Sequence, residues 1–228
     1  MVPRATRQMK VRRQGTGCGC YHERLKRDDI SAFVLAGGRS SRMGNDKAFL
    51  QLRRRALLAH ALETAGSVAS HVRIVGQREK FGSYGEVVED TFHERGPLAG
   101  IHAALRASNS ELNLIIAVDT PFIATPVLEY LISAAEASGK MVTVPRVAGH
   151  LQTLCAVYRR EFAEIAEKSL NAGKNRIDPL FTPEVAGVIS EEEMRSVAFD
   201  PSMFDNLNTP EEYEQALARL AHQNAHGH

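Results

Sequence analysis

The chain lacks the material for several broad classes of protein. No apolar run approaches the ~20 residues that cross a bilayer. The basic N-terminal stretch has no apolar core and no Ala-x-Ala-like cleavage site, so it does not read as a secretory signal. Three cysteines in 228 residues cannot make a disulfide framework. Cys18 and Cys20 form a Cys-x-Cys that ends two residues before His22, but a fourth zinc ligand is missing. Cys155, inside the apolar run 154–157, reads as a small core residue. The nine histidines show no metal spacing. No Ser/His/Asp or Cys/His arrangement for nucleophilic catalysis is evident, and neither G-x-x-x-x-G-K-[ST] nor G-x-G-x-x-G occurs. The last absence disfavours a dinucleotide-binding oxidoreductase.

Charge of one sign is scarce overall, with a net +1, yet it is unevenly spread. Residues 1–29 carry +5 and the remainder −4. A nucleic-acid-binding domain would carry a basic stripe over its folded part, and this body is mildly acidic. Residues 1–29 therefore read as a basic, disordered extension, and no nucleic-acid or membrane partner is expected. The chain reads as soluble and cytoplasmic.

What is present is an ordinary globular composition, 43% hydrophobic and 24% charged. Short apolar runs rich in strand formers occur at 31–36, 71–75, 86–89, 113–118, 141–144 and 153–158. Helical spacing separates them: Leu57, Leu58, Ala61, Leu62 and Ala65 share a face, as do Val127, Leu128, Leu131, Ile132 and Ala135. Ile101, Ala104 and Leu105 repeat the pattern after Gly96-Pro97. Alternating strands and helices predict βαβ units, hence an α/β, Rossmann-like, three-layer αβα fold around a mostly parallel sheet. Thr209-Pro210-Glu211-Glu212 predicts a capping box opening a helix whose stripe is Tyr213, Ala216, Leu217, Leu220 and Ala221. No linker divides the chain, so residues 30–222 form one expected domain, followed by a frayed tail at 223–228.

Ligands of open parallel sheets bind beyond the carboxyl ends of the strands. The loop after 31–36 reads Gly37-Gly38-Arg39-Ser40-Ser41-Arg42-Met43-Gly44-Asn45-Asp46-Lys47. Glycines admit backbone N–H groups close to phosphate oxygens, serines add donors, and Arg42 and Lys47 bring positive charge. The loop after 113–118 begins Asp119-Thr120-Pro121. A carboxylate there suits Mg²⁺, which takes one or two protein oxygens besides water and phosphate, although Asp119 equally suits a turn.

Together these loops resemble the MobA-like nucleotidyltransferases, and most of all the molybdenum cofactor guanylyltransferases. Leu35-Ala36-Gly37-Gly38 through Arg42-Met43-Gly44 and Asp46-Lys47 is similar to that family's leading signature. Gly96-Pro97-Leu98-Ala99-Gly100, Asp119-Thr120-Pro121-Phe122 and Asn206-Leu207-Asn208-Thr209-Pro210-Glu211 resemble its later motifs in the same order. The resemblance covers about residues 31–215. It implies the fold of the nucleotide-diphospho-sugar transferases and Mg²⁺-dependent transfer of GMP from GTP to the phosphate of molybdenum-molybdopterin, with pyrophosphate released. It also implies roles. Leu35, Ala36, Gly37 and Gly38 would hold base and ribose through the backbone, with Asp90, Gly96 and Pro97 completing the nucleotide site. Arg42 and Lys47 would neutralise the triphosphate, and Asp119 would hold Mg²⁺ with Asn208 as a second oxygen. Gln152, where Thr153 replaces a family proline, and the basic turn Lys174-Asn175-Arg176 would contact the acceptor. GTP and the molybdenum cofactor are the implied partners, together with proteins that handle the cofactor or mature molybdoenzymes. A cytidylyltransferase of the same acceptor, a transferase of another small phosphate and an idle nucleotide-binding module are the alternatives.

Overall fold

The structure, a computed structural model, describes residues 27–37 and 46–225, apart from the side chains of 220–225. Cys18, Cys20 and His22 lie outside the described residues, as do Gly38 and Arg42.

In chain order the elements are β1 (Arg27–Leu35), a tight hairpin of β2 (Gln51–Leu52) and β3 (Arg55–Ala56), α1 (Leu57–Gly66), β4 (Ala69–Val75), α2 (Arg78–Phe81), β5 (Val87–Val88), α3 (Pro97–Ala107) and β6 (Leu112–Ala117). Then come α4 (Thr125–Ser138), β7 (Val142–Val147), β8 (His150–Leu151), β9 (Cys155–Arg159), α5 (Phe162–Asn171), β10 (Ala186–Ile189), α6 (Glu191–Met194) and α7 (Pro210–Ala225). The main sheet runs β10-β7-β9-β6-β1-β4-β5, with β8 pairing β7. β1 is parallel to both its neighbours, and β9 alone in this row runs against the strands beside it. The fold is thus a mostly parallel α/β sheet between helical layers.

Period-two alternation in β1 builds both layers at once. Ile30, Ala32 and Val34 enter one core with α1 and α4. Phe33 and Leu35 enter the other with α3 and α5. Such strands read as continuous apolar runs because neither face meets water.

Helix α3 departs from the amphipathic expectation. Every residue from Leu98 to Leu105 is buried, since α5 covers the face that would otherwise be wet. The glycines of its opening motif have two jobs. Gly96 is the N-cap at φ 69°, a conformation side chains disfavour. Gly100 lies against β1, where an added Cβ would stand 3.4 Å from the Leu35 side chain. Edge strand β10 and helix α5 were not expected from the sequence pattern; β10 is four residues long with a glycine inside, which weakens any strand signal.

The capping box of α7 is present. The Glu212 N–H donates to Thr209 Oγ1 at 3.2 Å, and the Thr209 N–H donates to Glu212 Oε2 at 3.0 Å. The apolar stripe of α7 is narrower than its periodicity suggests: Ala216 is buried, while Leu217 is exposed. Arg219 instead lies over the Phe122 ring at 4.7 Å.

Candidate active site

β1, β4, β6 and β7 end at one edge of the sheet, and β9, running the other way, begins there. That edge holds a cleft of about 140 Å³ lined by Leu35, Ala36, Gly37, Asp46, Lys47, Pro97, Ala117, Val118, Asp119 and Leu154. The Ala36 and Gly37 N–H groups both donate to Val75 O, at 3.0 and 3.1 Å, which bends the chain over the end of β4. A Cβ on Gly37 would lie 3.4 Å from Gly76 Cα, so the backbone passes closely there.

Two devices aim the charged groups. Asp46 accepts from the Ala48 N–H at 3.2 Å and caps the short 3₁₀ turn Lys47–Phe49, which directs Lys47 into the cleft. Val118 donates to Leu35 O at 3.1 Å and Ala117 to Leu154 O at 2.8 Å, fixing the chain that presents Asp119. The terminal motif is tied to the same point, because the Leu207 N–H donates to Asp119 O at 2.9 Å and the Asn208 N–H to Glu212 Oε2 at 2.6 Å.

The Lys47 ammonium stands between two oxygens from distant parts of the chain. It donates to Asn208 Oδ1 at 2.6 Å and lies 3.5 Å from Asp119 Oδ2. Burial raises the Asp119 carboxyl above its ordinary value of 3.8, and Lys47 pulls it back only in part. Two hard oxygen donors that converge on one cation, one of them a carboxylate short of counter-charge, fit a hard divalent ion. Among the described residues no three His, Cys, Asp or Glu side chains form a fuller metal cage.

Six of the expected residues line this cleft: Leu35, Ala36, Gly37, Lys47, Pro97 and Asp119. Asn208 joins them through Lys47, and Gly96 sets the start of α3 beside Pro97. Asp90 follows β5 outside the lining and faces His93 Nδ1 at 3.4 Å. Gln152 is also outside the lining; its side chain donates to His150 O at 3.4 Å, and Leu154 takes the place at the cleft. Lys174 and Arg176 are exposed on the turn after α5, at this same edge of the sheet. The sequence did not point to Leu154 or to Arg95. Arg95 Nη1 stands 4.0 Å from where a Cβ on Gly173 would be, so a third cation reaches the basic turn. No local signal marks it, because only the packing of α3 on α5 brings the two loops together.

The family described as MobA-like NTP transferase domain matches residues 32–182. The chain belongs to that family. A probable molybdenum cofactor guanylyltransferase of Pelotomaculum thermopropionicum is 37% identical over 185 residues, covering 80% of this chain and 89% of that protein. The molybdenum cofactor guanylyltransferase of Desulfosudis oleivorans is 35% identical over 196 residues, 85% and 96% of the two chains. Among solved structures, molybdopterin-guanine dinucleotide biosynthesis protein A of Archaeoglobus fulgidus superposes with a TM-score of 0.76 at 27% identity, covering 84% of this chain and 99% of that one. A 4-diphosphocytidyl-2C-methyl-D-erythritol synthase of Anaerococcus prevotii, TM-score 0.64 at 15% identity over 85% of this chain and 96% of that one, shares the fold. This MobA-like nucleotidyltransferase therefore gathers Leu35–Gly37, Lys47, Pro97 and Asp119 around one cleft, at the edge where open parallel sheets bind ligands. No helix among the described residues is long and apolar enough to cross a membrane.

Proposed function

We propose that this nucleotidyltransferase transfers GMP from GTP to the phosphate of molybdenum-molybdopterin, forming the guanine dinucleotide cofactor and pyrophosphate. The convergence of Lys47, Asp119 and Asn208 at the end of the Leu35–Gly37 backbone carries this reading, since it brings a cation and two oxygen donors from distant parts of the chain together in an arrangement suited to phosphate and metal. Relatives named for guanylyl transfer supply the choice of nucleotide and acceptor.

An acceptor phosphate oxygen bonds to the α-phosphorus while the α–β bridging P–O bond breaks, and the electron pair leaves with pyrophosphate. The attacking oxygen is already anionic, so the site needs no general base. The backbone of Leu35, Ala36 and Gly37 holds base and ribose in place, and Asp90, Gly96 and Pro97 flank that site. Lys47 and Arg42 neutralise the triphosphate and the leaving group. Asp119 and Asn208 hold Mg²⁺, which when bound supplies Lewis-acid stabilisation of the phosphoryl oxygens. Lys174 and Arg176, with Gln152, bind the anionic acceptor. The catalytic domain spans residues 30–222, works in the cytoplasm and hands its product to proteins that mature molybdoenzymes.

Calorimetric titration with GTP, CTP and ATP, each with Mg²⁺, tests the proposal. GTP binding that needs both Mg²⁺ and Asp119 is expected, and Asp119→Ala should lower transfer by two or more orders of magnitude in a folded protein. A preference for CTP moves the activity to cytidylyl transfer, and full turnover by Asp119→Ala removes the metal assignment.

A further inference from the structure

We propose that Lys47 is a placeholder cation that makes the cleft reject a free divalent metal ion and accept the metal only together with a nucleotide. The inference rests on the reading of Asp119 and Asn208 as metal-holding oxygens and goes beyond it, because it concerns the order in which the site fills.

The Lys47 ammonium lies 2.6 Å from Asn208 Oδ1 and 3.5 Å from Asp119 Oδ2. A magnesium ion bound to the same two oxygens would sit about 2.1 Å from each, which is space this ammonium takes up. The two cations cannot share it, since the positions overlap and like charges so close repel strongly in a half-buried cleft. The backbones that carry the two oxygens are held in place. Asn208 is anchored through its N–H to Glu212, and the Asp119 carbonyl accepts from Leu207. Lys47 itself is the mobile partner, a point charge on a four-carbon stem rooted in the turn that Asp46 caps.

A Lys47 that leaves for water gives up both partners, and only another anion makes good that loss. The other carboxylates at hand among the described residues are Asp46, which caps the turn and faces Lys80 at 3.4 Å, and Glu212, which already accepts from the Asn208 and Thr209 N–H groups. A free metal ion therefore displaces Lys47 toward no equivalent partner. A triphosphate brings one: its oxygens receive the ammonium as the metal takes over Asp119 and Asn208. Metal and nucleotide then bind with positive coupling, and the coupling is reciprocal.

The test uses Mn²⁺ as the probe, followed by the paramagnetic resonance signal of the free ion, with full-length protein, with and without GTP, each GTP titration being read as the excess over Mn²⁺ and GTP without protein. Wild type should bind Mn²⁺ weakly alone and at least about tenfold more tightly with GTP. Lys47→Met, which keeps an unbranched apolar stem one atom shorter and removes the charge, should bind Mn²⁺ alone about tenfold more tightly than wild type, bind GTP more weakly, and lose most of the coupling. Lys47→Gln serves as a second variant should Lys47→Met fail to fold, judged by circular dichroism. Free Mn²⁺ affinity that is unchanged or weakened in a folded Lys47 variant overturns the placeholder role. If Mn²⁺ binding in the presence of GTP is insensitive to Asp119→Asn, the metal site itself is wrong, a failure distinct from the first.

Discussion

His102 is buried on α3, its ring edge-to-face with Phe92 at 5.2 Å, and neither ring nitrogen has a hydrogen-bond partner among the described residues. Burial, the larger cause, and the Arg106 charge push its pKa below 6.5, and Glu167, 4.0 Å from Nε2, opposes them incompletely. The folded chain thus holds His102 neutral where the unfolded chain takes up a proton. The unfolded state binds more protons between those two values, so stability rises with pH through that window and is lost as pH falls below 6.5. Wild type should therefore lose more stability than His102→Leu between pH 7.5 and 5.5, read by urea unfolding; parallel losses would rule this out. Cys155 illustrates the opposite kind of buried residue. Its thiol, pushed up to about 12 by burial, is chemically quiet packing, as its place in an apolar run suggested.

Among the elements, the hairpin that leads into α1 is the least comfortable. Arg53 and Arg54 occupy its two turn positions with φ of 50° and 62°, a conformation that Asn-Gly adopts readily and other residues do not. The hairpin is held from outside: Tyr213 Oη donates to Gln51 O at 2.5 Å, and His60 Nε2 contacts Leu52 O at 2.6 Å. Replacing Arg53 and Arg54 together by Asn and Gly should relieve roughly 1–2 kcal/mol and raise the melting temperature by about 2–6 °C. A melt that falls would mean that the arginines contribute contacts outweighing the strain. Helix α7 shows what local sequence can specify, because its first turn satisfies its own N–H groups and its start was legible from four residues. Its packed face was not, since Leu217 is apolar and exposed while Arg219 covers Phe122.

At the scale of the whole molecule, β1 is the keel of the sheet, paired on both sides and shared by both cores. Amides of β1 and β6 should exchange with deuterium most slowly, and those of edge strands β5 and β10 faster. Phe33→Ala should cost about 3–5 kcal/mol and speed exchange on the α3–α5 side first; uniform acceleration would show that the two cores unfold as one. The sequence by itself determined the alternation of apolar runs and helical stripes, hence the parallel α/β class, and it placed the glycine-rich loop and Asp119 after two strands. Those features follow from local periodicity and from glycine and proline stereochemistry, which each segment carries alone. Only the tertiary structure decided the reversed strand β9, which brings Leu154 to the cleft, and the burial of α3 under α5, which carries Arg95 to the basic turn. It also set Lys47 between Asp119 and Asn208, 72 and 161 residues away along the chain. No local pattern encodes such meetings, because they depend on strand order and helix packing across the whole fold.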